Sequence, residues 1–224
     1  MGGVIGDLLP MAIGVAISPV PIIAVILMLL SQRPGATSIA FGIGWVLGIV
    51  VAATVFLLLS GVADLGSDTG PSTTASWIKI VLGALLLVLA GGQWRKRPRP
   101  GAEPQLPKWM SAITEFSAVK AGGLGFLLAA VNPKNLLMAV GAGTIIGSAN
   151  LSGGKDVIAV VVFTVLAASS VLVPVIGFAV ASTKVRPWLD DLRVWLEANN
   201  AAVMTVLLLV LGVVMVGKGI GGLG

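Results

Sequence analysis

The sequence predicts an all-α integral membrane protein, with six transmembrane helices arranged as two inverted-topology three-helix repeats whose first and fourth helices are broken at prolines. Three observations predict it. Of 224 residues, 57% are hydrophobic and only 10% charged, against about a quarter charged in soluble domains, and the mean hydropathy is +1.05. Six apolar segments are long enough to cross a bilayer. A polar residue followed by proline recurs at matching depth in the first and fourth, as "SPVP" at 18–21 and "NPKN" at 132–135.

A window of about 19 residues places the spans at residues 8–30, 36–61, 77–94, 119–146, 157–181 and 201–220. The opening "MGGVIGD" has no Lys or Arg ahead of its apolar run. It lacks the charged start of a cleavable signal peptide and is read as part of the first span. Residues 95–117 contain "RKRPRPGAEPQLPKW", dense in charge and proline. They form a basic connector between a first repeat at 1–94 and a second at 118–224. In "PWLDDLRVWLE", Trp188, Leu189, Leu192, Trp195 and Leu196 share one helical face, with the charged residues mostly on the other. That pattern predicts a helix near 186–197 lying in the membrane interface. "KWMSAITEF" repeats it more weakly through Trp109, Ile113 and Phe116. The chain has no tyrosine, so interfacial anchoring falls to its six tryptophans.

Loops one, three and five hold ten of the fourteen Lys and Arg residues, five of them in the connector. Lys79, Lys155 and Lys218 fall on the other side, and Lys134 lies inside a span. The positive-inside rule then puts these three loops in the cytoplasm and both termini outside. The net charge of +5 is read as this topology signal, not as a nucleic-acid surface.

Laying the fourth span on the first at an offset of 114 aligns "AISPVPIIAV" (16–25) with "AVNPKNLLMA" (130–139). Ser18 meets Asn132, Pro19 meets Pro133, Val20 meets Lys134 and Pro21 meets Asn135. Three spans per half means that the second half enters from the opposite side, the plan of many secondary transporters, whose sites lie at interrupted helices near the midplane. A proline frees a carbonyl one turn earlier, near residues 15 and 129. In hydrocarbon such a group needs a partner, which Ser18 or Asn132 could supply. Pro21 is expected to add a second defect.

Lys134 is costly, at about 2.5–3.5 kcal/mol near a span centre on insertion scales. Three readings stay open. It binds the freed carbonyls; it faces a hydrated cavity and attracts a carboxylate, phosphate or sulfate; or it snorkels to an interface. Asn132 and Asn135 could bind carbonyls or polar substrate groups. The candidate binding and gating residues are therefore Ser18, Pro19, Pro21, Asn132, Pro133, Lys134 and Asn135. Ser169, Ser170 and Pro174 make a softer hinge. Gly44-x-x-x-Gly48 and Gly143-x-x-x-Gly147 allow close helix approach, inside the subunit or at the seam of a homodimer.

Without cysteine or histidine, thiol redox chemistry, disulfides, Cys/His metal sites and a histidine base are all excluded. The serines have no base beside them in the spans, and no phosphate-binding Gly-rich loop ending in Lys-Ser/Thr is present. The chain reads as a non-enzyme without cofactor or metal.

"SPVP" and "NPKN" resemble the lysine-exporter (LysE) superfamily of six-span exporters. The short connector and "NPKN" look most like its actinobacterial branch of glycopeptidolipid- and sulfolipid-1-addressing (GAP/Sap) proteins. The resemblance implies a carrier in a bacterial cytoplasmic membrane. Its cargo would be a cell-envelope glycolipid or anionic amphiphile, its surroundings membrane lipids, and envelope-synthesis or export proteins its further partners. Pro19, Pro21, Asn132, Pro133, Lys134 and Asn135 carry the motif over. The span cores hold no acidic residue, a departure from the amino-acid exporters that puts an amine site in doubt. The alternatives are a small-solute exporter of the same fold and a non-transporting scaffold for envelope-lipid assembly.

Overall fold

The structure is a computed structural model that describes residues 1–62, 73–95, 97 and 112–223. Asp64, Asp68, Trp109 and most of the basic connector lie outside the described residues. Among those described, every regular element is helical: α1 (Gly2–Ala16), α2 (Pro19–Leu29), α3 (Pro34–Val62), α4 (Thr73–Arg95), α5 (Ala118–Ala130), α6 (Pro133–Ser148) and α7 (Lys155–Gly221), with a 3-10 turn at Ile113–Glu115. All six apolar segments of the sequence fall on these helices. Long side chains such as Val88 and Val173 point outward from them, as hydrocarbon surroundings require.

Three helices, α3, α4 and α7, are long and apolar enough to cross a membrane. Two further candidates are bent pairs, α1 with α2 at 53° and α5 with α6 at 59°, giving up to five spans if each pair counts once. The chain is a multi-pass membrane protein. At about 1.5 Å per residue, the 67 residues of α7 would run to about 100 Å, far beyond a hydrocarbon core of about 30 Å. The helix is in fact broken at Ala181 (φ −145°, ψ 53°). The softer hinge expected at Ser169, Ser170 and Pro174 stays helical. There Ser169 Oγ donates to Leu166 O at 2.7 Å, and the break at Ala181 comes about two turns after Pro174.

The amphipathic stretch 186–197 is helical but continuous with the apolar run that follows it. Leu189 and Leu196 are buried, whereas Trp188 and Trp195 face outward. The leucines thus pack on the protein and the indoles stand free to anchor at the interface. Arg193 is held on this helix by Asp190 at 3.1 Å and Glu197 at 3.8 Å.

Glycines set the helix packing. A Cβ at Gly44 would fall on Gly122 O, and one at Gly48 would meet Phe126 O and Ala129 Cβ at 2.7 Å. These contacts progress in the same direction along both helices, so α3 and α5 run parallel. A Cβ at Gly143 would meet Phe56 and Leu57 backbone at 2.6–2.7 Å, and Gly147 abuts Ser60 Oγ, so α6 continues parallel to α3. Both glycine pairs therefore serve close packing inside the subunit. On the other flank, Gly83 meets Gly212 and Val216, and Gly219 meets Ser76 and Ile80. That seam makes α4 antiparallel to the last part of α7.

Candidate functional site

The two breaks have the same local build. Ile17 N donates to Ile13 O, and Val131 N donates to Leu127 O, each at 2.9 Å. Both helices therefore end one residue before the polar residue. Ser18 (ψ 110°) and Asn132 (ψ 123°) are extended N-caps. Pro19 and Pro133 take the first helical position, where a missing N–H costs nothing and the fixed φ suits the helix. The new helices are then closed by Ile22 N on Ser18 O at 3.4 Å and by Leu136 N on Asn132 O at 2.8 Å. Every one of these equivalences sits at the 114-residue offset read from the sequence.

Two expectations change here. Pro21 adds no second defect, because it falls in the first turn of α2, whose N–H groups lack helical partners anyway. The freed carbonyls that find side-chain partners are Gly14 and Leu128, one residue earlier than expected, because each helix stops instead of kinking through its proline. The partners also differ from those expected. Asn132 Oδ1 accepts from Lys134 N at 3.1 Å as a helix cap, and Ser18 is buried without a side-chain capping bond.

Gly14 and Leu128 are themselves equivalent at the offset of 114, and both are served from α6. Lys134 Nζ donates to Gly14 O at 2.5 Å, across the interface between the breaks. Asn135 Nδ2 donates to Leu128 O at 2.8 Å, bridging its own break. Lys134 is 3% exposed and Asn135 2%, so the lysine does not snorkel. Val20, the counterpart of Lys134, can donate nothing. One half thus supplies the polar contacts for both.

The broken helices cross antiparallel. Met138 Sδ lies 2.7 Å from where a Cβ on Gly14 would stand, and Met11 Sδ lies 2.9 Å from that of Gly141. Gly14 forms the bottom of this crossing, and Leu211 Cδ1 of α7 also stands 2.7 Å from the same point. A side chain there would have to displace the ends of the Leu211 and Met138 side chains.

The polar inventory is incomplete in a telling way. Among the described residues the Lys134 ammonium has one hydrogen-bond acceptor for its three donors, and no carboxylate pairs with it. Asn135 Oδ1 is buried with no donor. Lys134 thus keeps N–H groups to spare, which suit an oxygen-rich anionic group, and Asn135 keeps an acceptor oxygen without a donor.

The structure gathers Ser18, Pro19, Asn132, Pro133, Lys134 and Asn135 at the two breaks; sequence reasoning did not name Gly14, which contributes only a carbonyl. It also missed the Asp7–Lys218 ion pair at 2.5 Å, which joins the start of α1 to the end of α7. No grouping of three or more potential metal ligands occurs among the described residues. No curated protein and no solved structure matches the chain significantly. The family model of Sap, sulfolipid-1-addressing protein, matches residues 8–221, which include both breaks and every residue of the site, and the chain belongs to that family.

Proposed function

We propose that the protein is a secondary exporter that moves an anionic, glycosylated envelope lipid or related amphiphile across the cytoplasmic membrane by alternating access. In this reading α7 supplies two spans across Ala181. The six spans then form two inverted three-helix repeats, with loops one, three and five in the cytoplasm and both termini outside. The matched local build of the two breaks, their antiparallel crossing and the parallel run of α3 with α5 and α6 support the inversion. The sidedness is supported by two contacts. Arg186 Nη2 donates to Leu30 O at 3.3 Å, joining the ends of loops one and five, while Asp7 and Lys218 meet at the terminal side.

One observation carries the functional reading: a buried lysine that, among the described residues, is bound to a single backbone carbonyl across two broken helices, with the next residue's amide oxygen left without a donor. A purely structural bridge could have used a neutral amide, as Asn135 does next door. Placing an ionisable side chain in hydrocarbon is costly and is the usual mark of an intramembrane functional site. The family's link to sulfolipid-1, a sulfur-bearing lipid by its name, agrees with an anion-seeking ammonium. The site is enclosed in this conformation, so cargo reaches it only when the broken helices part. The carrier does no covalent chemistry.

The test is movement of a labelled sulfated glycolipid across reconstituted proteoliposomes, run beside free amino acids. The wild-type protein is expected to move the lipid and Lys134→Met to be at least about tenfold slower, the effect of losing about 1.4 kcal/mol of interaction. Movement of amino acids alone would favour the small-solute exporter. A folded Lys134→Met variant that supports envelope assembly as well as wild type would favour the scaffold.

A further inference from the structure

The same crossing has a lateral face. A groove of about 510 Å³ opens between the end of α1 and the last part of α7, lined by Ile13, Gly14, Ile17, Asn199, Ala202 and Val206 among others. Its volume lies in the range of about 300–1,000 Å³ typical of sites that hold small molecules. Almost all of its surface is hydrocarbon, and its walls belong to segments that cross the membrane. Two features separate it from the ordinary lipid-facing surface. Polarity is confined to one end, where Trp195 and Asn199 stand. Asn199 Nδ2 donates one of its two N–H groups to Trp195 O at 2.9 Å, which leaves the other N–H, its Oδ1 and the indole N–H for a headgroup. In addition, the wall includes Gly14, whose carbonyl holds Lys134. Gly14 therefore belongs both to the groove's lining and, through its carbonyl, to the Lys134 contact.

The helix directions close the argument. Asp7 meets Lys218 and Gly14 meets Leu211, so α1 and this part of α7 run antiparallel. The seam between them is tied by an ion pair at one end and open as a groove toward Trp195 and Asn199 at the other. We propose that this groove is a lateral entrance that binds one acyl chain of the cargo amphiphile. The chain lies along α7 past Ala202 and Val206, and its polar end sits at Trp195 and Asn199. This rests on the transport reading above and deepens it by naming where the lipid tail is held. The occupant is an acyl chain because the groove lacks charge and is reached from hydrocarbon, whereas a water-soluble solute would have no route into it.

The experiment uses the full-length protein in phosphatidylethanolamine/phosphatidylglycerol vesicles. A sulfated glycolipid carrying a diazirine on its acyl chain is photolysed, and labelled residues are located by mass spectrometry. Labelling of Ile17, Ala202 and Val206 is expected to exceed that of Val88 and Val173 by about tenfold, a preference near 1.4 kcal/mol. Those two valines are at least as exposed as Val206 on other faces, so they report ordinary lipid. Val206→Trp fills the groove from an outward-facing position and is expected to return Ile17 to the Val88 level and to slow lipid movement. Ala202→Leu serves if the larger side chain prevents folding, and Val88→Trp should change neither readout. Equal labelling at all five positions would overturn the groove. If Lys134→Met still stopped lipid movement, the transport reading would stand without it. Concentrated labelling with undiminished movement in Lys134→Met would leave the groove and remove the lysine from the path.

Discussion

A backbone carbonyl decides what Lys134 does in this conformation, and carbonyls have no signature in a sequence. "NPKN" announces a helix break and a polar side chain within an apolar run, and the structure has the break there with Lys134 buried beside it. Which group answers the charge depends on α1 crossing α6, a tertiary fact, so the acceptor on Gly14 could not be read. The lysine and asparagine side by side make a test of roles. Asn135→Leu removes the donor to Leu128 O and leaves a buried carbonyl unpaired, a loss of about 1–3 kcal/mol. Thermal unfolding in detergent should register it as a clear drop in Tm. Lys134→Met also orphans a carbonyl, but it relieves the burial of a charge worth about 2.5–3.5 kcal/mol. These terms oppose each other, so its stability should stay near wild type while transport falls. Similar unfolding losses in the two variants would mean that Lys134 is a structural bridge like its neighbour.

Helix placement was legible because proline and glycine act locally. Pro19 and Pro133 start helices where their rings fit, and the paired glycines mark the seams on which α3 receives α5 and α6. The break in α7 was not legible. Pro174 sits buried and helical, while the chain bends at Ala181, a residue whose side chain neither breaks nor favours a bend. Elements are therefore best tested at the glycine seams, where distances are short and the opposing atoms are backbone. Gly44→Ala would set a methyl on Gly122 O, which cannot move without shifting α5. Overpacking of this kind costs about 1–3 kcal/mol, and the folded fraction on size-exclusion chromatography should fall with it. Gly123→Ala, beside that contact but with nothing within 4 Å, should be neutral or gain about 0.5–1 kcal/mol from higher helix propensity. Equal losses from both would mean that the α3–α5 seam is looser than its geometry indicates.

At the scale of the molecule, the seam between α1 and the last part of α7 joins the site to the membrane and to the terminal side. If the carrier alternates, this seam cannot stay tied at the Asp7–Lys218 end throughout the cycle, because cargo that enters beside Trp195 and Asn199 must leave toward the other leaflet. The pair is partly exposed, and such pairs are weak, typically about 0–1 kcal/mol, which suits a contact that is made and broken. The cysteine-free sequence makes the requirement easy to probe. Asp7→Cys combined with Lys218→Cys introduces the protein's only two thiols, and a short bis-maleimide should join them because the native side chains meet. Each single substitution removes the ion pair without the tether and should leave lipid movement within about twofold, the scale of an exposed pair. The tethered double variant should bind cargo from the open end yet fail to deliver it, so that photolabelling of Val206 persists while movement across the vesicle stops. Delivery at the wild-type rate with the tether in place would show that the lipid leaves by another seam and that α1 and α7 move as one body.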